Sequence, residues 1–325
     1  MSSSSEEDDD LLSGILRGGE DDEPPKRRGR KRKLPLPEAL PRGPDVETDQ
    51  EFRERLISVT ENMMYSAGDG PSPLSQNVDL AIRLAAEILR PLFRNLPRWK
   101  VRHEHTPLAI VLNRMRVRPD LISRLLQRIT VAANINETAN QVDDGDNQKT
   151  FAEELVDPTG LKLPFCVALT DLGMDPNGLL AMTDEISAAR LERIVQRTNG
   201  MSPLAYGLFS DARKAAICNF NSKYRNEAAS LCRWLGMKSP PKVVVFAATF
   251  LFKEIITQFT DHASRIAKDV WLVERMQENR PGVGGADSHH PVPISTRHYR
   301  SALVRNKRVK NGNFLFGPLV NSLNQ

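Results

Sequence analysis

Arginine is the residue whose type and spacing in this sequence most clearly predict a chemistry. Nine basic residues lie between positions 94 and 128, opposed only by Glu104 and Asp120. Guanidinium groups bind phosphate bidentately and stack on bases, and Trp99 lies in the same stretch. The alternatives are a charged structural surface and a surface for an acidic protein partner. We predict a groove for single-stranded nucleic acid, formed by Arg94, Arg98, Trp99, Lys100, Arg102, Arg114, Arg116, Arg118, Arg124 and Arg128.

A second basic run lies near the C-terminus and contains no acidic residue. We predict that it contacts phosphates and that Tyr299 stacks on a base. An apolar segment follows, and its position after a Pro- and Gly-rich stretch favours docking on a neighbouring subunit, hence a homo-oligomer. Docking on the chain's own core is the alternative. The basic residues are Arg297, Arg300, Arg305, Lys307, Arg308 and Lys310, and the apolar ones are Phe314, Leu315, Phe316, Leu319 and Val320.

The histidines and acidic residues form no recognisable catalytic or metal-binding pattern. His103 and His105 share one side of an extended segment, but no further ligand stands at metal-site spacing. Residues 143–147 resemble a calcium loop, although the later glutamate falls outside its frame. Neither a Gly-rich phosphate loop nor Gly-x-Ser-x-Gly is present. We predict that the protein is not an enzyme and needs no cofactor or metal; an unrecognised enzyme is the remaining alternative.

Residues 1–46 combine an acidic patch, a short apolar cluster and a dense basic run. A segment so charged buries too little apolar surface to fold, so we predict a disordered tail. The basic run fits the acidic groove of a nuclear import receptor or the phosphates of a nucleic acid; a solubilising tail is the alternative. Its residues 26–30 also resemble the centre of an AT-hook. The run comprises Lys26, Arg27, Arg28, Arg30, Lys31, Arg32 and Lys33.

Three serines near the N-terminus have the spacing of phosphorylation sites. Ser3, Ser4 and Ser5 each have an acidic residue three positions on, the pattern that acidophilic kinases favour. Added phosphate would deepen the negative patch at residues 6–10 and let it mask the basic run. The apolar residues beyond the patch would share one face of a short helix, as in acidic recruitment peptides, unless they are an accident of composition. They are Leu11, Leu12, Ile15 and Leu16.

Composition restricts the class of protein. The 325 residues carry a net charge of +4 and are 40% hydrophobic but only 6% aromatic, which favours helices over a sheet sandwich. Three cysteines without a Cys-x-x-Cys pair indicate reduced thiols in a cytosolic or nuclear setting. We see neither a secretory signal nor an 18-residue apolar stretch, so we predict no membrane partner. The expected location is the nucleus or cytoplasm of a host cell, and the virion if the protein is viral.

Apolar periodicity predicts an all-α fold with two helical lobes. Apolar residues recur at three- and four-residue steps, and proline, glycine and aspartate mark helix ends. Asp49 is the expected cap of the first helix. On the helix that Pro119 opens, Arg124 and Arg128 lie one turn apart, so we expect them to bind one phosphate track. The other predicted helices cover residues 49–64, 77–91, 108–115, 164–172, 183–197, 204–217, 223–235, 243–259 and 261–278, with a strand at 243–246 as an alternative.

The predicted organisation has five parts. A disordered tail covers residues 1–46, and an N-terminal helical lobe with the Arg-rich stretch covers residues 47–142. A polar linker at residues 143–150 leads to a C-terminal helical lobe at residues 151–279. A flexible basic and apolar arm covers residues 280–325.

Two segments resemble the coat proteins of flexible filamentous, potyvirus-type viruses. Residues 252–263 read Phe-Lys-Glu-Ile-Ile-Thr-Gln-Phe-Thr-Asp-His-Ala, with Glu-Asn-Arg-Pro at residues 278–281. Residues 310–317 read Lys-Asn-Gly-Asn-Phe-Leu-Phe-Gly. The Ala-Phe-Asp-Phe signature of such coats is absent. The resemblance implies a helical core, flexible arms exchanged between subunits and RNA in an Arg-lined groove.

Together these features predict a nucleic-acid-binding structural protein of the nucleoprotein or coat type. We expect sequence-independent binding to the phosphate backbone, of RNA rather than DNA, and self-assembly through the arms. The alternative is a nuclear adaptor, or a chromatin or transcription regulator, whose tail recruits protein partners. Arginines that converge in one groove would favour the first function, whereas arginines paired with carboxylates of the second lobe would argue against it.

Overall fold

The computed structural model describes residues 47–97, 105–143, 161–218, 225–277 and 294–308. These residues form eleven helices and no strand, which confirms the predicted all-α fold. In chain order the helices are α1 (Asp49–Ala67), α2 (Ser75–Phe93), α3 (His105–Arg114), α4 (Pro119–Asp143), α5 (Lys162–Asp171), α6 (Pro176–Leu180), α7 (Glu185–Thr198), α8 (Pro203–Lys214), α9 (Arg225–Leu235), α10 (Lys242–Gln277) and α11 (Thr296–Arg308).

Side-chain caps begin several helices where the sequence provides them. The Thr48 hydroxyl accepts a hydrogen bond from the Glu51 amide, and the Glu51 carboxylate accepts one from the Thr48 amide. Thr48, not the expected Asp49, therefore caps α1. Asp184 and Ser202 cap α7 and α8 through their side-chain oxygens. These bonds satisfy amide groups that have no backbone partner at a helix start.

α10 is the central helix of the fold and packs against α1, α2, α3 and α11. The sequence divided this region into two helices at Thr260, but the structure has one helix of 36 residues, roughly 54 Å long at the usual rise per residue. No proline or glycine interrupts it, so nothing forces a break at that position. Residues 243–246, where a strand was the alternative, are helical.

α10 is the helix in the described part of the chain that is long and apolar enough to cross a membrane. An 18-residue window within Lys242–Glu274 has a mean hydropathy of 1.5, so the prediction that no such stretch exists is wrong. In this fold 78% of that window is buried by the rest of the protein. A core helix of a folded domain has the same composition as a membrane span, because both have apolar surroundings.

Helices from both sides of the predicted linker contribute to a common core. α1 and α2 pack against α10, while α3 and α4 pack against α5. Residues 144–150 lie outside the described residues, and so do residues 1–46 with the predicted import signal and phosphorylation sites. The linker and the tail functions therefore remain predictions.

The structure differs from the sequence prediction at residues 296–308, which were placed in a flexible arm. These residues form α11, which packs against α10 and α2. Tyr299 is fully buried, its ring meets the Phe259 ring edge-on at 5.2 Å, and its hydroxyl donates to the Asp69 carboxylate at 2.7 Å. Tyr299 therefore cannot stack on a base, and this part of the chain docks on its own core.

Candidate nucleic-acid interface

Two arginines of the predicted groove, Arg118 and Arg124, are buried instead of facing solvent. Their exposed fractions are 4% and 7%. Arg118 donates two hydrogen bonds to Asp120, at 2.9 and 2.7 Å. Arg124 pairs with Asp120 at 2.8 Å, with Asp184 at 2.9 Å and with Glu254. The prediction is wrong for both residues, because carboxylates from the same helix and from later helices occupy their guanidinium groups.

A third arginine of the predicted groove, Arg114, stabilises a helix end. Its guanidinium donates to the carbonyls of Pro91, Leu92 and Arg94 at 3.3, 2.6 and 3.1 Å. These carbonyls belong to the last turn of α2 and to the residue after it. Cations at this position complete the hydrogen bonds that a helix C-terminus leaves open. The side chain is partly buried, so little of it faces solvent.

The remaining predicted contact residues are divided between exposed surfaces and the undescribed part of the chain. Arg94, Arg116 and Arg128 are exposed, as are Arg297, Arg300 and Arg305 on α11. Of these six, Arg128 alone lines the groove described next. The structure does not describe the side chains of the other predicted contact residues, which are Arg98, Trp99, Lys100, Arg102, Lys307, Arg308 and Lys310.

A different cationic groove, of about 1110 Å³, lies among α1, α4, α7, α8 and α10. Seven basic side chains and two acidic ones, Glu254 and Asp261, line it. The groove therefore has a formal excess of five positive charges. We call this site the cationic groove; its basic residues are Arg128 of α4, Arg190, Arg193 and Arg197 of α7, Arg213 of α8, and Lys253 and Lys268 of α10.

The three α7 arginines hold that helix in place as one wall of the cationic groove. Arg190 pairs with Glu254 at 3.1 Å, and Arg193 binds Asp261 through two bonds of 2.8 Å. Arg197 donates to the backbone carbonyls of Tyr65 and Asp69 at 2.6 and 2.8 Å. No residue of α7 is buried, so these bonds replace the usual apolar attachment. Sequence reasoning missed them, although spacings of three and four residues put them on one helix face.

Three cations of the cationic groove are exposed, and no carboxylate within the described residues pairs with them: Arg128, Arg213 and Lys268. Two of them, Arg128 and Arg213, act on Lys253, whose ammonium donates to the carbonyls of Arg213 and Ala215 at 2.6 and 3.1 Å. Burial, then repulsion from Arg128 and Arg213, lowers the pKa of Lys253 to about 8. The groove therefore has a positive potential that its two carboxylates do not cancel.

The two carboxylates belong to the ion pairs that build the wall. Burial alone would raise the pKa of Glu254, but Arg190 and Arg124 outweigh it and hold that pKa below its usual value. Glu254 is therefore ionised at neutral pH and links α4, α7 and α10. The charges of this arrangement would attract a polyanion rather than a cation.

Two buried cysteines and one buried histidine of the described residues have pKa values that keep them uncharged at neutral pH. Burial raises the pKa of Cys218 to about 12 and that of Cys232 to about 11, so both thiols are protonated at neutral pH. Burial, with Arg265 and Arg305, lowers the pKa of His262 to about 4. Among the described residues there is no group of three or more His, Cys, Asp or Glu side chains placed to hold a metal ion.

No protein-family model, curated protein or solved structure matches this chain. The fold and the groove themselves place the described part of the chain among all-α proteins with an exposed cationic groove. The resemblance to potyvirus-type coat proteins stays a prediction based on its two short segments.

Proposed function

We propose that this protein binds single-stranded nucleic acid as a structural protein of the nucleoprotein or coat type. The observation that supports the proposal best is the cationic groove, where seven basic side chains from four helices face two carboxylates. Phosphates release condensed counterions when such cations neutralise them, which favours binding. RNA rather than DNA is the ligand that the coat-protein resemblance implies.

Arg128, Arg213 and Lys268 make the phosphate contacts in this proposal, because their side chains are exposed on the groove. The α7 arginines and Lys253 add positive potential while their own bonds hold the walls. Cations that contact phosphates carry no sequence information, so binding is independent of base sequence.

We propose further that copies of the chain associate through the predicted arm, of which residues 309–325 lie outside the described residues. The support from the structure is a set of exposed apolar side chains on α7 and α8, which offers a surface for a neighbouring apolar segment. Leu204 is 79% exposed, the largest value among them; the others are Leu191, Val195, Tyr206 and Leu208.

Salt dependence of RNA binding tests the groove. The affinity of the full chain for a fluorescent poly(U) oligonucleotide should fall with salt by a log–log slope of roughly −0.7 for each phosphate contacted. Replacement of Arg128, Arg213 and Lys268 by glutamine should weaken binding and make the slope less negative by about 2, because three contacts are lost. Fluorescence anisotropy over a range of salt concentrations measures both quantities.

A matched triple variant controls for the loss of net charge. Arg116→Gln, Lys214→Gln and Lys238→Gln remove three positive charges from exposed positions outside both grooves of the structure. This variant should keep most of the slope. A flat salt dependence of the unaltered chain, or equal losses in both triple variants, would contradict the assignment of the cationic groove.

A further inference from the structure

A second groove, of about 700 Å³, lies among α1, α2 and α9 and shares no lining residue with the cationic groove. Its floor is apolar, and its rim carries four arginines and two aspartates. We call it the α1–α2–α9 groove. The floor consists of Phe52, Leu56, Ile57, Ile82 and Trp234, and the charged rim of Arg53, Arg83, Arg90, Arg233, Asp49 and Asp79.

Trp234 is held in this floor by contacts with its neighbours. Its ring lies 6.3 Å from the Phe52 ring and 6.0 Å from the Phe252 ring. The Arg90 guanidinium stands over it at 5.7 Å, and Arg90 Nε donates to the Trp234 carbonyl at 3.2 Å. A fixed, half-buried tryptophan between aromatic and cationic neighbours is the kind of residue that anchors a protein interface.

The rim has more positive charge than its own aspartates neutralise. Arg233 pairs with Asp49 at 2.6 Å, and Arg83 donates to the backbone carbonyl of Asp79. All four rim arginines are exposed, so their guanidinium groups can reach a ligand. An apolar floor bordered by cations is complementary to a segment with an apolar face and acidic flanks.

We propose that the α1–α2–α9 groove binds an acidic amphipathic helix of a partner protein. Aliphatic side chains of the partner pack on Ile57, Ile82 and Trp234, and its carboxylates pair with the rim arginines. The volume of about 700 Å³ lies in the usual range of ligand-binding sites, and helix-in-groove docking uses apolar anchors of this kind. This proposal is independent of nucleic-acid binding, because the two grooves have separate linings.

A fluorescent synthetic helical peptide, with leucine on one face and glutamate on the other, tests the proposal with the full chain. Fluorescence anisotropy should show binding of this peptide and no binding of a matched peptide with lysine in place of glutamate. The Arg53→Glu and Arg83→Glu double variant should bind the acidic peptide at least about tenfold more weakly, because two favourable pairings become repulsions. The Arg116→Glu and Lys238→Glu variant, with the same charge change elsewhere, should bind normally.

A floor variant, Ile82→Glu, should also lose peptide binding, and circular dichroism will show whether it keeps its helices. Absence of binding by the unaltered chain, or equal binding by the Arg53 and Arg83 variant, would overturn the proposal. Displacement of the peptide by poly(U) would instead assign the groove to nucleic acid. Tighter peptide binding after neutralisation of the acidic residues at positions 6–10 would identify the chain's own acidic segment as the occupant. Self-association of the chain that increases when the peptide is diluted would identify a second copy of the chain as the occupant. Each of these results would overturn the assignment to a partner.

Discussion

At the scale of single residues, the environment of each arginine decides its role. Arg124 is buried with three carboxylates, those of Asp120, Asp184 and Glu254. Taking these charges out of water is costly, and they compensate for one another only while all partners are present. Exposed Arg116 has no such constraint. The same residue type therefore stabilises the fold at one position and remains available for ligands at another.

We predict that Arg124→Ala destabilises the fold by about 3 kcal/mol, because Asp184 loses its cation while Asp120 and Glu254 each keep only one, Arg118 and Arg190. Urea unfolding followed by circular dichroism measures this loss. Arg116→Ala is the control and should change stability by less than about 0.5 kcal/mol, since the side chain is exposed. A loss below about 1 kcal/mol for Arg124→Ala would show that the carboxylates find other partners.

His262 should make stability depend on pH. Its folded pKa of about 4 lies below the ordinary value of 6.5, because of burial first and then of Arg265 and Arg305. The unfolded chain then binds more protons between these values, so stability falls as the pH drops from 6.5 towards 4. Solvent screening reduces the expected loss at pH 5 to about 1 kcal/mol.

Unfolding of the His262→Gln variant at pH 7 and pH 5 tests this assignment. The glutamine does not titrate, so the variant should lose about 1 kcal/mol less than the unaltered chain between the two pH values. Carboxylates such as Glu254, with pKa values below their ordinary range, lose their contribution at still lower pH. An identical pH dependence of the two chains would contradict a role for His262.

At the scale of elements, polar bonds hold α7 in place of an apolar face, and a buried hydrogen bond adds to the apolar packing of α11. α7 has no buried residue and is attached through Arg190, Arg193 and Arg197. α11 is attached to α10 through buried Tyr299, whose hydroxyl donates to Asp69 in the loop after α1. Burial raises the pKa of Asp69, so this carboxylate depends on the few donors around it.

We predict that Tyr299→Phe weakens the docking of α11 by about 1–3 kcal/mol, because the buried Asp69 carboxylate loses a hydrogen-bond donor. Hydrogen exchange of amides in residues 296–305 should become faster, while exchange in α2 should change little. Tyr206→Phe is the matched control, since Tyr206 is exposed on α8. Unchanged exchange in α11 would show that apolar packing alone holds the helix.

At the scale of the whole molecule, the proposed function requires both nucleic-acid binding and self-association. The cationic groove supplies the proposed binding surface. The exposed apolar side chains of α7 and α8 supply a surface on which a neighbouring copy can pack. RNA that holds several copies close together raises their effective concentration, so association should depend on RNA.

We predict that the full chain forms large assemblies with RNA and that RNase disperses them. Negative-stain images and size-exclusion chromatography measure this directly. Deletion of residues 309–325 should abolish the large assemblies and keep RNA binding, whereas the Arg128, Arg213 and Lys268 triple variant should weaken RNA binding and, with it, the formation of assemblies. A chain that stays monomeric with RNA would favour the adaptor function instead.

The local structure could be predicted from the sequence to a large extent. Apolar periodicity and the prolines at positions 119 and 203 located most helices within a few residues, because helix starts and apolar stripes are local properties. The division of α10 was wrong, since a polar Thr260-Asp261 pair looked like a helix end. Asp261 instead lies within the helix, where it is buried and its carboxylate accepts hydrogen bonds from Arg193.

The sequence predicted that the candidate site is positively charged, but not which residues form it. A count of arginines correctly drew attention to positive charge, but the predicted residues Arg118 and Arg124 proved to be buried. The sequence gives no local sign of this, because Glu254 lies 130 residues from Arg124. The cationic groove that the structure contains was missed because its cations lie on four helices separated along the chain.

Sequence alone determined the helical class, the helix starts and the excess of arginine, since each depends on neighbouring residues or on composition. Tertiary structure decided which guanidinium groups meet carboxylates and which face solvent. That choice depends on desolvation and on partners from distant helices, and both exist only when the chain is folded. Arg128 and Arg124 lie one turn apart on α4, yet one is exposed on the groove and the other is buried.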